Sequence, residues 1–139
     1  MTATKILIVE DEPAALSATA LVLQARGYAT CTADDAVTAI STAVQEHPDL
    51  VVLDFGLPAD SATVVLARLR HLPATAITPV IAVAAGRVDA ERRQSLSALG
   101  CEFVLTKPVA VEDLLAAVSM SISERVSTGS GGPALPSTG

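Results

Sequence analysis

The feature that most constrains the fold is a set of three short apolar runs, each leading into charged residues. The runs cover residues 6–9, 50–53 and 103–105. The charged residues that follow them are Glu10, Asp11 and Glu12 after the first, Asp54 after the second, and Lys107 after the third. A short apolar run is typical of a buried strand, so these carboxylates and this ammonium group are expected where a buried sheet meets solvent.

Segments of helical periodicity separate these runs, and further apolar runs cover residues 28–32 and 79–83. Strands that alternate with helices are typical of βαβ units and a parallel sheet. Pro13 is suited to the first position of helix one, Asp34 or Asp35 can cap helix two, and Asp89 can cap helix four. The pattern predicts a doubly wound α/β fold with five parallel strands and five helices.

Length and composition predict one domain followed by a tail. The chain has 139 residues, of which 50% are hydrophobic and 2% aromatic, so the core must consist of Val, Leu, Ile and Ala. From Ser127 the composition changes to Ser, Gly and Pro, which offer too little apolar surface to order themselves. We expect a domain over residues 1–126 and a flexible tail over 127–139, either a linker to another domain or a natural end.

Charge and composition disfavour several classes of function. The net charge is −6, the basic residues form no stripe, and aromatic residues are scarce, so direct nucleic-acid binding is not expected. No apolar stretch approaches the roughly 18 residues that cross a bilayer. Two cysteines and the absence of a signal-peptide pattern indicate a cytoplasmic protein with reduced thiols.

The charged strand ends are expected to form a metal-assisted phosphoryl site. In an open parallel sheet the carboxyl ends of the strands line one crevice, so Asp11, Asp54 and Lys107 should converge. Two carboxylates about 4 Å apart repel by roughly 4 kcal/mol at an effective dielectric constant of 20, which favours a bound cation. All-oxygen ligands suit Mg²⁺, and a carboxylate can attack phosphorus to form an acyl phosphate. We expect Asp54 to be that nucleophile.

The motifs that carry these residues resemble those of a known family. They are Lys5-Ile6-Leu7-Ile8-Val9-Glu10-Asp11-Glu12-Pro13, Val52-Leu53-Asp54-Phe55-Gly56-Leu57-Pro58, Pro79-Val80-Ile81, and Gly100 followed by Leu105-Thr106-Lys107-Pro108. In this order and spacing they resemble receiver domains of two-component response regulators, including the single-domain chemotaxis regulator, over residues 4–125. The resemblance implies a flavodoxin-like sheet with strand order 2-1-3-4-5 and a cis bond before Pro108.

The resemblance also implies a role for each charged residue. Asp54 aligns with the phosphoacceptor and Lys107 with the lysine that contacts the phosphoryl group. Asp11 aligns with the carboxylate that ligates Mg²⁺ directly, and Glu10 with the acid that acts through water. Asp54 itself and the backbone carbonyl of Gly56 would complete the protein ligands of the metal.

Two departures from the family pattern concern signal relay. Ala84 stands where most receivers end the fourth strand in Ser or Thr. The hydroxyl that normally moves toward the phosphoryl group and bonds its oxygen is therefore missing. Val104 stands at the aromatic position of the fifth strand, because Phe103 is one residue off and points to the opposite face. We expect phosphoryl capture to be retained and the conformational relay to be atypical.

The leading hypothesis is a signalling phosphoacceptor that is not an enzyme beyond its own phosphorylation and dephosphorylation. Its expected partners are a sensor histidine kinase or phosphotransfer protein and a downstream protein. The downstream protein is expected to bind the surface of helix four, strand five and helix five. The sequence leaves open whether the chain forms a homodimer. A phosphorylation-independent adaptor is the alternative.

A phosphatase of the haloacid dehalogenase type needs a second Asp where Gly56 stands. A flavodoxin is disfavoured because acidic residues after the first strand would repel a flavin phosphate.

Overall fold

The structure, a computed structural model, describes residues 3–56 and 61–131. Its strands are β1 (Lys5–Val9), β2 (Ala29–Ala33), β3 (Leu50–Asp54), β4 (Val80–Ala85) and β5 (Cys101–Lys107). Its helices are α1 (Pro13–Ala25), α2 (Ala36–Glu46), α3 (Ser61–His71), α4 (Ala90–Ala98) and α5 (Val111–Gly131). Strands and helices alternate along the chain, as the apolar pattern predicts.

The five strands form one parallel sheet in the order β2-β1-β3-β4-β5, which confirms the predicted fold class and strand order. Leu53 is in register with Val9 on one side and with Ala82 on the other. Because all strands run the same way, their carboxyl ends reach the same edge of the sheet. The charged residues at the carboxyl ends of β1, β3 and β5 therefore lie near one another.

Local sequence signals set the helix ends. Pro13 occupies the first turn of α1, where its missing N–H costs nothing. Asp35, rather than Asp34, caps α2 by accepting a hydrogen bond from the Thr38 N–H at 2.7 Å. The Asp89 carboxylate accepts a bond from the Arg92 N–H at 2.8 Å and caps α4. These caps satisfy N–H groups that have no partner within the helix.

Apolar side chains cover both faces of the sheet. One core cluster packs the sheet against α2, α3 and α4, and the other packs it against α1 and α5. Val104 packs against the first cluster and Phe103 against the second, so the two side chains point to opposite faces. This confirms that the one aromatic residue of β5 lies away from the face that Val104 occupies.

Helix α5 continues to Gly131, so the predicted boundary between domain and tail at residues 126 and 127 falls within a helix. Residues 132–139 of the predicted tail lie outside the described residues. Among the described residues, none of the helices combines the length and apolar character that crossing a bilayer requires.

Arg70, near the end of α3, joins three segments of the chain. Its Nε donates to the Leu99 carbonyl at the end of α4 (2.8 Å), and its Nη1 donates to the Thr78 carbonyl before β4 (2.7 Å). A Cβ atom at Gly100, whose φ is +85°, would come within 2.9 Å of Arg70 Nε. The glycine therefore permits both the left-handed turn after α4 and the close approach of the guanidinium.

We expect Arg70→Met to lower the free energy of unfolding by about 2 kcal/mol, because several backbone carbonyls lose a charged donor at once. Chemical denaturation measures this change. Arg68→Met is the matched control, since Arg68 is exposed on the same helix and its loss should cost less than about 0.5 kcal/mol. Equal losses in the two variants would contradict the role given to Arg70.

Candidate functional site

The carboxyl ends of β1, β3 and β5 bring Glu10, Asp54 and Lys107 into contact. The sequence predicts that Asp11, Asp54 and Lys107 converge; Asp11 lies in the same acidic group, but the ion pairs of Lys107 are with Asp54 and Glu10. The Lys107 ammonium group donates to Asp54 Oδ2 at 2.9 Å and lies 3.6 Å from Glu10 Oε1. Asp54 is 3% exposed and Glu10 is 7% exposed. Lys107 thus provides a positive charge to two buried carboxylates, which need one to be stable in this environment.

Gly56 fixes the other oxygen of Asp54. The Gly56 N–H donates to Asp54 Oδ1 at 2.7 Å, so each carboxylate oxygen of Asp54 accepts from at least one donor. A Cβ atom on Gly56 would lie 3.1 Å from Asp54 Oδ1, which is tighter than an ordinary contact. A residue without a side chain therefore suits this position, and the sequence analysis, which considered only the carbonyl of Gly56, missed this use of its N–H.

Glu10, Asp11 and Asp54 form a group that fits a hard divalent cation. One carboxylate oxygen from each lies within 4.8 Å of the others, with Asp11 exposed and the other two buried. Three carboxylate oxygens are the kind of ligand that Mg²⁺ prefers, and the open side at Asp11 leaves room for water ligands. The three carboxylates of the predicted metal site therefore lie in one place.

Burial raises the pKa of Glu10 to about 7, and its hydrogen bond with Asp54 adds to the effect. Burial also pushes the pKa of Asp54 upward, but its hydrogen bonds with Glu10, Lys107 and the Gly56 N–H outweigh burial and hold the pKa below its ordinary value. Between these two acids, Glu10 holds the proton and Asp54 carries the charge. The ionised form of Asp54 is the one that can act as a nucleophile.

A cavity of about 640 Å³ adjoins Asp54 and Lys107. Its inner wall is apolar and is made by the sheet residues Val52 and Val83. Small residues of α1, among them Ala15, form another part of the lining. The cavity therefore provides free space beside Asp54.

The end of β4 carries no hydroxyl. Ala84 is 5% exposed and Gly86, with φ of +71°, turns the chain toward α4. The structure instead shows a contact that sequence analysis missed: the Arg92 guanidinium lies 5.6 Å from the centroid of the Phe55 ring. This cation–π contact connects α4 to the residue after Asp54. No short-range sequence signal predicts it, because it depends on how α4 packs on the sheet.

Comparison with known proteins agrees with this geometry. The family profile of the response regulator receiver domain matches residues 6–119. The transcriptional regulatory protein KdpE of Mycobacterium tuberculosis is 34% identical over 119 residues, which are 86% of this chain and 51% of KdpE. The transcriptional regulator RpaA of Synechocystis is 36% identical over 114 residues, covering 82% of this chain and 47% of RpaA.

Solved structures show the same architecture. A CheY-like receiver domain from Methanospirillum hungatei has a TM-score of 0.83 with 26% identity, over 91% of this chain and 99% of that one. The chain belongs to the response regulator receiver domain family of two-component systems. It spans about half the length of the curated relatives it matches.

In EDTA, we expect the free energy of unfolding to fall by about 1 to 3 kcal/mol as pH rises from about 5 to about 8. The pKa of Glu10 is about 7 in the folded protein against 4.5 ordinarily, so the folded state binds more protons in this window. The stability from protonated Glu10 is complete below about pH 4.5 and is lost as pH rises through about 7. Denaturant titrations at several pH values measure the trend.

Glu10→Gln is the control, because glutamine keeps the shape of the side chain without a titratable proton. Its unfolding free energy should vary less across the same pH range. The same slope in the variant and the wild type would show that Glu10 does not cause the dependence.

Proposed function

We propose that this chain receives a phosphoryl group on Asp54 from a sensor histidine kinase or a phosphotransfer protein and signals through changed protein contacts. The observation that carries the proposal is the buried, ionised Asp54 carboxylate beside the Lys107 ammonium group and next to two further acids. The chemistry is the chain's own phosphorylation and the later hydrolysis of the product, and no other substrate is turned over.

In the transfer step, an oxygen of Asp54 forms a bond to phosphorus while the phosphorus–nitrogen bond of the donor phosphohistidine breaks. The imidazole leaves with the electron pair of that bond and takes up a proton. Lys107 contacts Asp54 Oδ2 before the reaction and is within reach of the new phosphoryl oxygens after it. The Gly56 N–H keeps the other Asp54 oxygen in place. A preorganised donor and cation lower the barrier because they need not reorient.

The residues that would hold Mg²⁺ are Asp11 and Asp54 directly, Glu10 through water, and the backbone carbonyl of Gly56. When bound, Mg²⁺ supplies positive charge that offsets the phosphoryl oxygens. Because the proton on Glu10 competes with a cation at the same cluster, Glu10 helps to make metal binding dependent on pH.

The signal leaves the site by a route other than the usual hydroxyl and aromatic pair. Ala84 has no hydroxyl, and Val104 replaces the aromatic residue of β5. The contact between Phe55 and Arg92 provides a link from the phosphoacceptor to α4. We infer that a downstream protein meets the surface formed by α4, β5 and α5.

A receiver-like adaptor that works without phosphorylation is the second candidate. The absence of a side-chain hydroxyl at Ala84 and of an aromatic ring at Val104 favours it, since both usual relay elements are gone. The intact group of Glu10, Asp11, Asp54 and Lys107 argues for phosphorylation instead, because an adaptor has no need of buried charges that cost stability.

We infer that the protein acts in the cytoplasm, where the kinase domains of such systems release their phosphoryl group. The relatives KdpE and RpaA are named as transcriptional regulators. With a net charge of −6, the residues present here are not expected to provide a nucleic-acid contact themselves.

Incubation with acetyl phosphate and Mg²⁺ tests the proposal. We expect the intact protein mass to increase by one phosphoryl group in the wild type, and EDTA to reduce the yield at least about tenfold, since charge on the phosphoryl group is then offset by Lys107 alone. Asp54→Asn should form no adduct.

Asp49→Asn is a matched control with the same change of charge, because Asp49 is an acid outside the site that accepts a hydrogen bond from the Lys5 N–H. It should be phosphorylated like the wild type. No adduct on the wild type would favour the adaptor, and an adduct that persists in Asp54→Asn would place the reaction on another residue.

A further inference from the structure

A second depression, of about 440 Å³, lies next to the phosphoacceptor site and shares Gly86 and Lys107 with its cavity. Neither Asp54 nor Glu10 lines it. We call it the basic pocket. The residues that line it are Gly86, Arg87, Val88, Arg93, Thr106 and Lys107.

The basic pocket concentrates positive charge in an acidic protein. It contains three of the chain's nine Lys and Arg residues and no acidic residue, although the net charge is −6. Within the part of the chain that the structure describes, Arg87 and Arg93 form no ion pair. Two guanidinium groups that are exposed and unpaired therefore point to a ligand that brings its own negative charge.

Three structural elements hold the pocket in shape. Arg87 follows Gly86, whose left-handed backbone turns the chain between β4 and α4. Arg93 lies in the first turn of α4, and its N–H donates to the Asp89 carbonyl at 3.0 Å. Thr106 lies near the end of β5 in register with Ala84. Because these cations lie on the end of a sheet and on a capped helix, they lose little conformational entropy when a ligand binds.

We propose that the basic pocket binds an acidic segment of a partner protein. This inference rests on the proposed function, in which the signal passes through protein contacts, and it names the chemistry of the partner. An exposed ion pair contributes little by itself, so a single small anion gains little here. A peptide with neighbouring carboxylates can pair with Arg87 and Arg93 together and place apolar atoms on Val88, which is half-buried.

Lys107 couples the pocket to the phosphoacceptor. Lys107 lines the pocket, and its ammonium group contacts Asp54 and Glu10. Removing the charge of Asp54 leaves Lys107 with only its longer contact to Glu10 and makes the pocket more positive. An acidic segment should therefore bind about two- to threefold more tightly to Asp54→Asn than to the wild type.

The test uses a fluorescent, acetylated hexaglutamate peptide and measures its binding by anisotropy at low ionic strength. We expect Arg87→Gln combined with Arg93→Gln to weaken binding roughly five- to tenfold. The control is Arg26→Gln combined with Arg68→Gln, which makes the same change in net charge at exposed positions away from the pocket. The control pair should change binding less than about twofold.

Equal losses in the two double variants, or no binding of the peptide by the wild type, would overturn the proposal. Two competitors test its chemistry. If inorganic phosphate displaces the peptide and binds with an affinity equal to that of the peptide, the pocket is a site for small anions instead. A DNA duplex that binds more tightly than the peptide, through the same two arginines, would show a nucleic-acid contact instead.

Phosphorylation by acetyl phosphate, measured on the same samples, separates this proposal from the proposed function. Peptide binding that depends on Arg87 and Arg93, together with no adduct on Asp54, would support the pocket and reject the phosphoacceptor. An adduct on Asp54, together with peptide binding that does not depend on the two arginines, would support the phosphoacceptor and reject the pocket.

Discussion

The contact between Lys107 and Asp54 is the interaction on which the site depends. It joins the ends of two strands that are not adjacent in the sheet, at a distance of 2.9 Å between Nζ and Oδ2. The parallel register of β3, β4 and β5 makes it possible, because Asp54 is aligned with Val83 and Lys107 with Ala85. Without this cation, Asp54 and Glu10 would be two buried acids with no positive partner among the residues that the structure describes.

Much of this arrangement could be predicted from the sequence, because strand ends and helix caps follow from local patterns. The strands that precede Asp54 and Lys107 are short apolar runs, and the helix starts at Pro13 and Asp89 have local signals. The strand order came from the resemblance to a family. The unequal pKa values of Glu10 and Asp54 could not be predicted, since they depend on burial and on hydrogen bonds between distant residues.

The contacts of α4 were also beyond prediction. The sequence from Arg87 to Arg93 has the mixed charge typical of a solvent-exposed segment. In the fold, its arginines have different surroundings. Arg92 lies over Phe55, whereas Arg87 and Arg93 line the basic pocket next to Lys107. This receiver domain, without the usual hydroxyl and aromatic pair, thus has two physical connections between the residues around Asp54 and the surface around α4.

The most direct test of the central claim is a crystal structure with Mg²⁺ and beryllofluoride, which mimics a phosphoryl group on a carboxylate. We expect beryllium bonded to an oxygen of Asp54, with Lys107 Nζ in contact with a fluorine and the metal held by Asp11. Beryllofluoride bound at another residue, or an unaltered contact between Asp54 and Lys107 at saturating beryllofluoride, would contradict it.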